Sequence, residues 1–237
     1  MTSLSQSVSV RTLRVKSEFD AAVDLQRIIW GYGDLDIEPR SMFTLASRYI
    51  GQTIGAFIGE RLVGFTLAFA TMASGCLHSH RVGVHPEYQN WGIGRRLKLA
   101  QREDALSRNI SSIHWTFDPM QTRNAYFNLV RLGGIAKNYI PNLYGTTSSP
   151  LHGGLPTDRL LIEWDLTSDR VRRILDGEAV SLGEDVREIL LPPVADRKNA
   201  AAQVRLRTEF LANLADGYVV AGFRKDGGNH IYLLEKS

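Results

Sequence analysis

Segments of period two alternate along the chain with segments of helical period, which predicts strands and helices in turn. Val8 to Val15 alternates polar and apolar residues in the manner of a half-buried strand. Apolar residues then recur at helical spacing as far as Trp30, with Ser17 at the position of an N-cap. Gly31 follows the last of them, so we expect the helix to end there.

Between residues 39 and 166 the pattern keeps the same two periods. Pro39 suits the first turn of a helix, and Gly59-Glu60-Arg61 has the composition of a hairpin turn. The predicted helices cover residues 39–49, 92–108 and 123–132, and the predicted strands cover residues 53–58, 62–70, 77–84, 112–117, 135–140 and 159–166. This order indicates the α/β (α+β) class, with a mixed twisted sheet flanked by helices.

The pattern changes after the strand that ends near Leu166. Residues 167–237 predict a short helix (169–175), a strand (186–191), a long helix (197–215) and a hairpin around Asp226-Gly227-Gly228-Asn229. We therefore divide the chain into a domain of residues 1–166 and a C-terminal extension of residues 167–237. The extension is too small for a large core of its own, so we expect it to pack on the first domain or on a partner subunit.

Composition excludes several classes of protein. Lys plus Arg (28) exceed Asp plus Glu (25) by only three, too small an excess for a nucleic-acid binder by charge alone. No apolar run reaches the roughly 20 residues that a membrane helix needs, and the polar start, Met1 to Ser9, does not resemble a signal peptide. Cys76, the one cysteine, cannot form an internal disulfide and is expected to be a small buried residue. We expect a cytoplasmic protein with neither nucleic-acid nor membrane partners.

The most informative stretch is the turn between a strand and a helix. Pro86 ends the strand, and Gly92 and Gly94 open a helix whose next residues, Arg95 and Arg96, are basic. Unpaired N–H groups at a helix start attract anions, and glycine lets phosphate oxygens approach the backbone. The third glycine of the dinucleotide fingerprint and the Gly-Lys-Ser/Thr of the P-loop are both missing. The spacing therefore indicates an anion site of another kind, or glycines that serve only to turn the chain.

The sequence Gln89-x-x-Gly92-x-Gly94, after a strand with Val82 and Val84, resembles the Gln/Arg-x-x-Gly-x-Gly/Ala motif of the GNAT superfamily of acyl-CoA N-acyltransferases. The order of elements over residues 8 to 166 resembles the GNAT fold as well. The resemblance implies that acetyl-CoA or another acyl-CoA binds as a co-substrate. No metal is expected, because the six histidines lack the spacing of metal ligands. The residues implied or proposed to hold the acyl-CoA are Val82, Gly83, Val84, Gln89, Asn90, Trp91, Gly92, Ile93, Gly94, Arg95 and Asn124, the last of which has a structural role at a helix start as an equal alternative.

The chain also resembles one subgroup of predicted acetyltransferases within the superfamily, and this likeness includes the extension. Some members of this subgroup are associated with the acylation of amino acids, including succinyl transfer. The matching motifs are Trp115-Thr116-Phe117-Asp118-Pro119, Arg123-Asn124-Ala125-Tyr126-Phe127-Asn128, Tyr139-x-x-Asn142-x-Tyr144-Gly145, Asp158-Arg159-Leu160 and Arg205-x-x-x-Glu209-Phe210.

Acyl transfer to an amine needs a base, and the strand before the turn carries two histidines. Counting in twos predicts that His78, His80, Val82 and Val84 share one face. His78 is the first candidate base and His80 the second, and bonding to polar neighbours at a strand start is the other role open to both. The resemblance also implies that the backbone N–H of about Val82 stabilises the oxyanion.

The proton donor for the leaving thiolate departs from the family pattern. Where the family often has a tyrosine, alignment on Gly133 places Leu129. Tyr126, one turn earlier on a similar helix face, is the first candidate donor, and Tyr144 in a later polar segment is another. A packed ring with a bonded hydroxyl is the other role open to both, and water is the alternative donor.

The segment from Trp30 to Glu38 joins the first two helices, where GNAT enzymes shape the acceptor pocket. Its three acids, Asp34, Asp36 and Glu38, can attract an amine or simply be solvated. Further along the chain, Arg123 and Arg159 can either bind a carboxylate with two hydrogen bonds or form structural ion pairs. The candidate substrate-binding residues are Trp30, Tyr32, Arg123, Tyr144 and Arg159.

The sequence thus favours an acyl-CoA-dependent N-acyltransferase, with acetyl or succinyl as the acyl group and a small-molecule amine, such as an amino acid, as the acceptor. A homodimer is an open possibility. The alternative is a noncatalytic acyl-CoA-binding regulatory or interaction module.

Overall fold

The computed structural model describes residues 7–145, 154–193 and 199–236. Most of the predicted N-terminal tail, most of the predicted loop at residues 150–156 and the predicted start of the long helix at Arg197 lie outside the described residues. The chain divides into two units, Met1–Ile113 and His114–Ser237. The predicted domain boundary at residue 166 stays a prediction.

The first unit contains four strands and three main helices. In chain order they are β1 (Val8–Thr12), α1 (Lys16–Trp30), a 3-10 turn (Asp34–Asp36), α2 (Arg40–Leu45), a π-helical continuation (Ala46–Ile50), β2 (Gly51–Ile58), β3 (Arg61–Ala70), β4 (Cys76–Val84), a second 3-10 turn (Pro86–Tyr88) and α3 (Ile93–Ser107). These bounds agree with the predicted elements to within about three residues.

The strands of the first unit pair in the order β1-β2-β3-β4, each pair antiparallel. Helices cover both faces of this sheet. On one face Phe19 and Leu25 of α1 pack with Phe43, Phe65 and Leu67. On the other face the cluster consists of Ile54, Ala56, Val63, Ile93 and Leu97, the last two from α3. Because both faces are covered, six consecutive residues of β2 and seven of β3 are buried.

The start of α1 differs from the prediction. The N-cap is Val15, not Ser17. Valine has no polar side chain, and the carboxylate of Glu18 instead accepts hydrogen bonds from the backbone N–H groups of Arg14 (2.7 Å) and Val15 (3.3 Å). Gly31 ends the helix as predicted, at φ 62°.

The second unit contains most of β5 and everything that follows. Its elements are β5 (Ser112–Phe117), α4 (Thr122–Ala125), a π-helical continuation (Tyr126–Arg131), β6 (Ile135–Ile140), β7 (Arg159–Asp165), α5 (Asp169–Leu175), β8 (Val186–Leu190), α6 (Ala200–Ala215), β9 (Tyr218–Asp226) and β10 (Asn229–Lys236). Its strands are neighbours in the order β5-β7-β6-β9-β10-β8.

Within the second unit the C-terminal strands pair with earlier ones. Ala136 of β6 pairs with Val220 of β9. The Tyr232 hydroxyl on β10, buried, donates to the carbonyl of Pro119 at 2.7 Å. Phe210 of α6 stacks on Tyr139 at 5.4 Å. The strands and helix after residue 166 therefore share one core with β6.

A buried carboxylate anchors α6 in the second unit. Asp158 is 1% exposed and accepts bonds from both Nε and Nη2 of Arg207, each at 2.9 Å. It also accepts from the Tyr139 hydroxyl (2.7 Å) and the Asn142 backbone (3.0 Å). Burial, together with the Asp158 charge, raises the pKa of Tyr139 above its ordinary value.

Within the described part of the chain, no helix is long and apolar enough to cross a bilayer. Cys76 is buried at the start of β4, as predicted.

Candidate active site

The glycine turn between β4 and α3 has the backbone geometry of an anion site. Asn90 (φ 68°) and Gly92 (φ 75°) are both left-handed, and α3 begins directly after Gly92. The amide of Gln89 donates to the carbonyl of Val84 at 3.3 Å and fastens the turn to the end of β4. A Cβ at Gly92 would meet nothing within 4 Å, so the residue is needed for its conformation and not for space.

The turn fits a diphosphate group. The first N–H groups of a helix have no partner inside it, and in α3 they belong to Ile93 and Gly94. No acidic residue lies in this first turn, and the helix dipole adds partial positive charge. The backbone N–H of Gln89 is different, because it already donates to Pro86 at 3.3 Å. The side chain of Arg96 also has a partner already, since its guanidinium donates to the carbonyl of Val8 at 2.6 Å.

Of the other predicted cofactor residues around this turn, Ile93 is buried and Trp91 is exposed. Trp91 packs edge-on against Tyr88, with ring centroids 5.4 Å apart. Gly83 lies against α1, since a Cβ there would stand 2.7 Å from Ile29 and 3.0 Å from Trp30. Close packing of a helix therefore explains this glycine.

An irregularity in β4 changes which side chains share a face. Phe69 of β3 pairs with His78, but two residues earlier Leu67 pairs with Arg81. His80 is therefore the extra residue of a β-bulge, and the alternation shifts by one after it.

The bulge corrects the expectation that His78, His80, Val82 and Val84 all share one face. His80 lies 5.7 Å from the ring of Phe69 and 6.3 Å from that of His78, on the α1 face. Val84 packs instead in the cluster that contains α3, and Val82 shares its parity. The two histidines therefore keep a common face, and the two valines do not belong to it.

The α1 face of the bulge carries a charged cluster. Nε2 of His80 lies 2.6 Å from Oε1 of Glu38, and Arg81 donates to the same oxygen at 3.2 Å. The hydrogen bond with His80 lowers the pKa of Glu38 below its ordinary value, and the Arg81 charge acts in the same direction. An imidazole held by a carboxylate is an arrangement suited to accept a proton.

Two aromatic residues of the α1–α2 segment surround Arg81. Trp30 and Tyr32 stack at 5.5 Å, and the guanidinium lies 5.6 Å and 5.2 Å from their ring centroids. Arg81 also donates to the Tyr32 hydroxyl at 3.3 Å and to the carbonyl of Asp36 at 3.3 Å. The structure thus brings the predicted residues Trp30 and Tyr32 to the same place as His80.

Asp34 is not part of this cluster. It pairs with Arg27 at 3.0 Å and its side chain is 88% exposed, as in the solvated-loop alternative.

Sequence analysis did not identify Arg81 as a site residue, because strict alternation along the strand placed it on the opposite face of β4 from the histidines. The bonding of Glu38 to His80 was missed as well, since the two residues are far apart in the chain. The sequence showed only that Glu38 lies in a loop and that His80 lies in a strand.

In the second unit, the predicted residues Tyr144 and Arg159 lie together. The Arg159 guanidinium is 5.4 Å from the Tyr144 ring centroid and donates to the carbonyl of Asp158 at 3.0 Å. The Tyr144 hydroxyl lies 3.2 Å from Oγ1 of Thr116. Arg159 is 9% exposed and Tyr144 49% exposed, so the ring presents one face to solvent over a buried cation.

The candidate proton donor lies on a π-helical segment. Tyr126 is 47% exposed, whereas Leu129 is buried, so the expectation that they lie on a similar helix face is wrong. The change from α to π winding at Tyr126 is the cause. Arg123 and Asn124 lie on the exposed side of α4.

In residues 7–145, 154–193 and 199–236, no three His, Cys, Asp or Glu residues lie close enough together to hold a metal ion.

The comparisons with known proteins concern the family and the fold. Residues 19–128, a little under half of the chain, match the family model of the Acetyltransferase (GNAT) family. No curated protein matches the sequence significantly.

Several solved structures share the fold at low sequence identity. One is the ribosomal-protein-S18-alanine N-acetyltransferase from Escherichia coli, with 13% identity and a TM-score of 0.55 over 68% of this chain and 96% of that chain. Another is aminoglycoside 6'-acetyltransferase type Ii, with 18% identity and a TM-score of 0.55 over 68% of this chain and 98% of that one. A third is an aminoglycoside 6'-N-acetyltransferase complexed with coenzyme A, with 16% identity and a TM-score of 0.52 over 68% and 98%.

These matches confirm the predicted fold class, a mixed sheet flanked by helices with further strands and a helix at the C-terminus. Residues 19–128 thus match the model of the GNAT acetyltransferase family, and the protein has the GNAT fold.

Proposed function

We propose that the protein is an acyl-CoA-dependent N-acyltransferase that transfers an acetyl or succinyl group directly to the amine of a small molecule, an amino acid being the preferred candidate. The observation that carries this proposal is the His80–Glu38 pair at 2.6 Å, on the strand that leads into the glycine turn. A base and an anion site on consecutive parts of one strand-turn-helix are what acyl transfer from a CoA thioester requires.

The glycine turn is proposed to hold the diphosphate of acyl-CoA through the backbone at Asn90 to Gly94, with Arg95 nearby. Bound acyl-CoA supplies an activated thioester carbonyl. Val82 to Val84 are proposed to bind the pantetheine arm through their backbone, and the N–H of Val82 to stabilise the negative charge on the acyl oxygen. Asn124 stays a proposed cofactor contact.

His80 is proposed to take the proton from the attacking amine. Glu38 holds the imidazole and stabilises the imidazolium that forms, and Arg81 keeps Glu38 in place. His78, the first candidate from the sequence, is now the second candidate base. The leaving thiolate takes its proton from Tyr126 or from water.

The acceptor is proposed to contact Trp30 and Tyr32. Arg159, with Tyr144 against its guanidinium, is proposed to bind a carboxylate of the acceptor, and Arg123 is a further candidate. A cytoplasmic enzyme, and a homodimer as one possible assembly, complete the proposal. The buried, unpaired thiol of Cys76 is compatible with a reducing compartment.

The test is turnover of acetyl-CoA and succinyl-CoA against a panel of amino acids and other small amines, read as free CoA thiol and as product mass. Wild-type protein should release thiol only when an amine is present. His80→Ala should lower kcat/KM for the amine by about 10²- to 10⁴-fold with CoA affinity nearly unchanged. If His78→Ala shows this loss and His80→Ala does not, the roles of the two histidines are exchanged.

The alternative function is a noncatalytic acyl-CoA-binding module. Leu129, buried at the position where the family often has a tyrosine, favours this reading. Tight CoA binding with no amine-dependent thiol release from any acyl-CoA would support the module and contradict the enzyme.

A further inference from the structure

A buried glutamine on α1 holds the segment that carries Glu38. Gln26 is 0% exposed. Its amide nitrogen donates to the backbone carbonyl of Glu38 at 3.0 Å, and its amide oxygen accepts from the backbone N–H of Glu38 at 2.9 Å. The two bonds together satisfy both backbone groups of a residue twelve positions further along the chain, and they fix which way the amide points.

The backbone of Glu38 lies outside the regular helices and strands. It lies between a 3-10 turn that ends at Asp36 and helix α2, and it belongs to no strand. Pro39, the next residue, has no N–H to donate. A short connection of this kind samples many backbone conformations unless a partner fixes it. Gln26 therefore supplies, from a rigid helix, the two bonds that a neighbouring strand would otherwise provide.

The fixed backbone sets the position of the Glu38 carboxylate. Its Oε1 receives both His80 and Arg81, at 2.6 Å and 3.2 Å. A backbone shift of about 1 Å at Glu38 would lengthen both contacts beyond good hydrogen-bond range. Misplacement by this amount can cost catalysis about 10²-fold.

We propose that Gln26 is a positioning residue for acyl transfer, which acts through the backbone of Glu38 to keep the carboxylate on His80. This inference rests on the proposed function. Both hydrogen bonds of the Gln26 amide go to the backbone of Glu38, so its effect on the base is proposed to pass through Glu38.

The decisive experiment is a double-mutant cycle between Gln26→Met and Glu38→Gln. Methionine keeps the length and bulk of the side chain and removes both bonds. We expect Gln26→Met to lower kcat/KM for the amine by roughly 10- to 100-fold and to alter the acid limb of the pH–rate profile in the same direction as Glu38→Gln. The double variant should be no slower than Glu38→Gln alone, because the second change removes what the first one acts through.

Gln52→Met is the matched control. Gln52 is also a buried glutamine of the first unit, 4% exposed, and its amide nitrogen donates to the backbone carbonyl of Gln101 at 3.1 Å. Gln52→Met should lower thermal stability to a similar degree as Gln26→Met does, but it should leave the pH–rate profile unchanged. If Gln26→Met does not fold, Gln26→Leu replaces it, since this variant also removes both bonds and buries no charge. Gln26→Leu should then show the same loss with the same change in the acid limb.

The outcomes separate the two proposals. Full activity in both His80→Ala and Glu38→Gln would refute this base assignment before Gln26 is considered. Loss of activity in those variants, combined with wild-type kinetics in the Gln26 variant or with additive losses in the double variant, would refute the positioning role and leave the base assignment standing.

Discussion

Gly83 offers a direct test of how closely α1 packs on β4 beside the candidate base. A Cβ at this position would lie 2.7 Å from Cδ1 of Ile29 and 3.0 Å from the ring of Trp30. The first neighbour is the end of a flexible side chain, but the second is an indole held against Tyr32 and Phe65. Gly83→Ala therefore forces α1 outward or distorts the indole.

Overpacking of a single methyl group costs about 1–3 kcal/mol. For a chain of this size each kcal/mol corresponds to roughly 2–4 °C in Tm, so we expect Gly83→Ala to melt about 2–12 °C lower. Ile29→Val removes Cδ1, the nearest atom, and on its own costs about 0.5–1.5 kcal/mol. The double variant should lose less stability than the two single losses added together, by about 1 kcal/mol, because the clash and the deleted atom coincide.

Urea unfolding of the four proteins, followed by circular dichroism, measures this cycle. Gly33→Ala is the control, because a Cβ there meets nothing within 4 Å and φ is −71°. The control should stay within about 0.5 kcal/mol of wild type. An unchanged midpoint for Gly83→Ala, or strictly additive losses in the double variant, would refute the packing argument.

Three further predictions concern the anchor of α6, the glycine turn and the acid limit of stability. Arg207→Met leaves the buried Asp158 without its bidentate partner and should lower the free energy of unfolding in urea by about 2–4 kcal/mol. Arg205→Met breaks an exposed ion pair and should lower it by under about 1 kcal/mol. Equal losses in the two variants would contradict the special role of burial. Gly94→Val brings a branched side chain to the first turn of α3 and should weaken CoA binding several-fold or more by calorimetry, and unchanged affinity in a folded variant would mean that the anion site is misplaced. The pKa of Glu38 is lowered below its ordinary 4.5, so its contribution to stability is complete above that value and is lost as the pH falls through the lower, folded-state pKa. Glu38→Gln should therefore lose less stability than wild type as the pH falls from above 4.5 to below it, and parallel curves would contradict the shift.

The sequence predicted nearly every helix and strand because each carries its own period. The hairpin at Gly59, for example, is a two-residue turn between Ile58 and Arg61, with Gly59 at φ 59°, and its glycine is visible in the sequence. The N-cap of α1 was placed wrongly because Ser17 has the favoured residue type, whereas the Glu18 carboxylate satisfies the backbone from inside the helix.

The candidate site was less predictable, because it depends on contacts between distant residues. No local signal announces a bulge, so the face of Arg81 could not be read from its place in the strand. The hydrogen bonds between Gln26 and Glu38 could not be predicted from the sequence either, since a glutamine on an amphipathic helix usually faces solvent. The glycine turn could be recognised because its backbone geometry requires glycine at a fixed spacing.

The pairing of β6 with β9 also has a consequence for synthesis on the ribosome. The two strands meet at Ala136 and Val220, more than eighty residues apart in the chain. At roughly 5–20 residues per second, β6 emerges some 4–17 s before the strand that covers its edge. During that interval the nascent chain presents an open strand edge, which other chains can pair with. Chaperone demand during translation should therefore fall on the second half of this protein, and it should end once β9 has been released and has paired with β6.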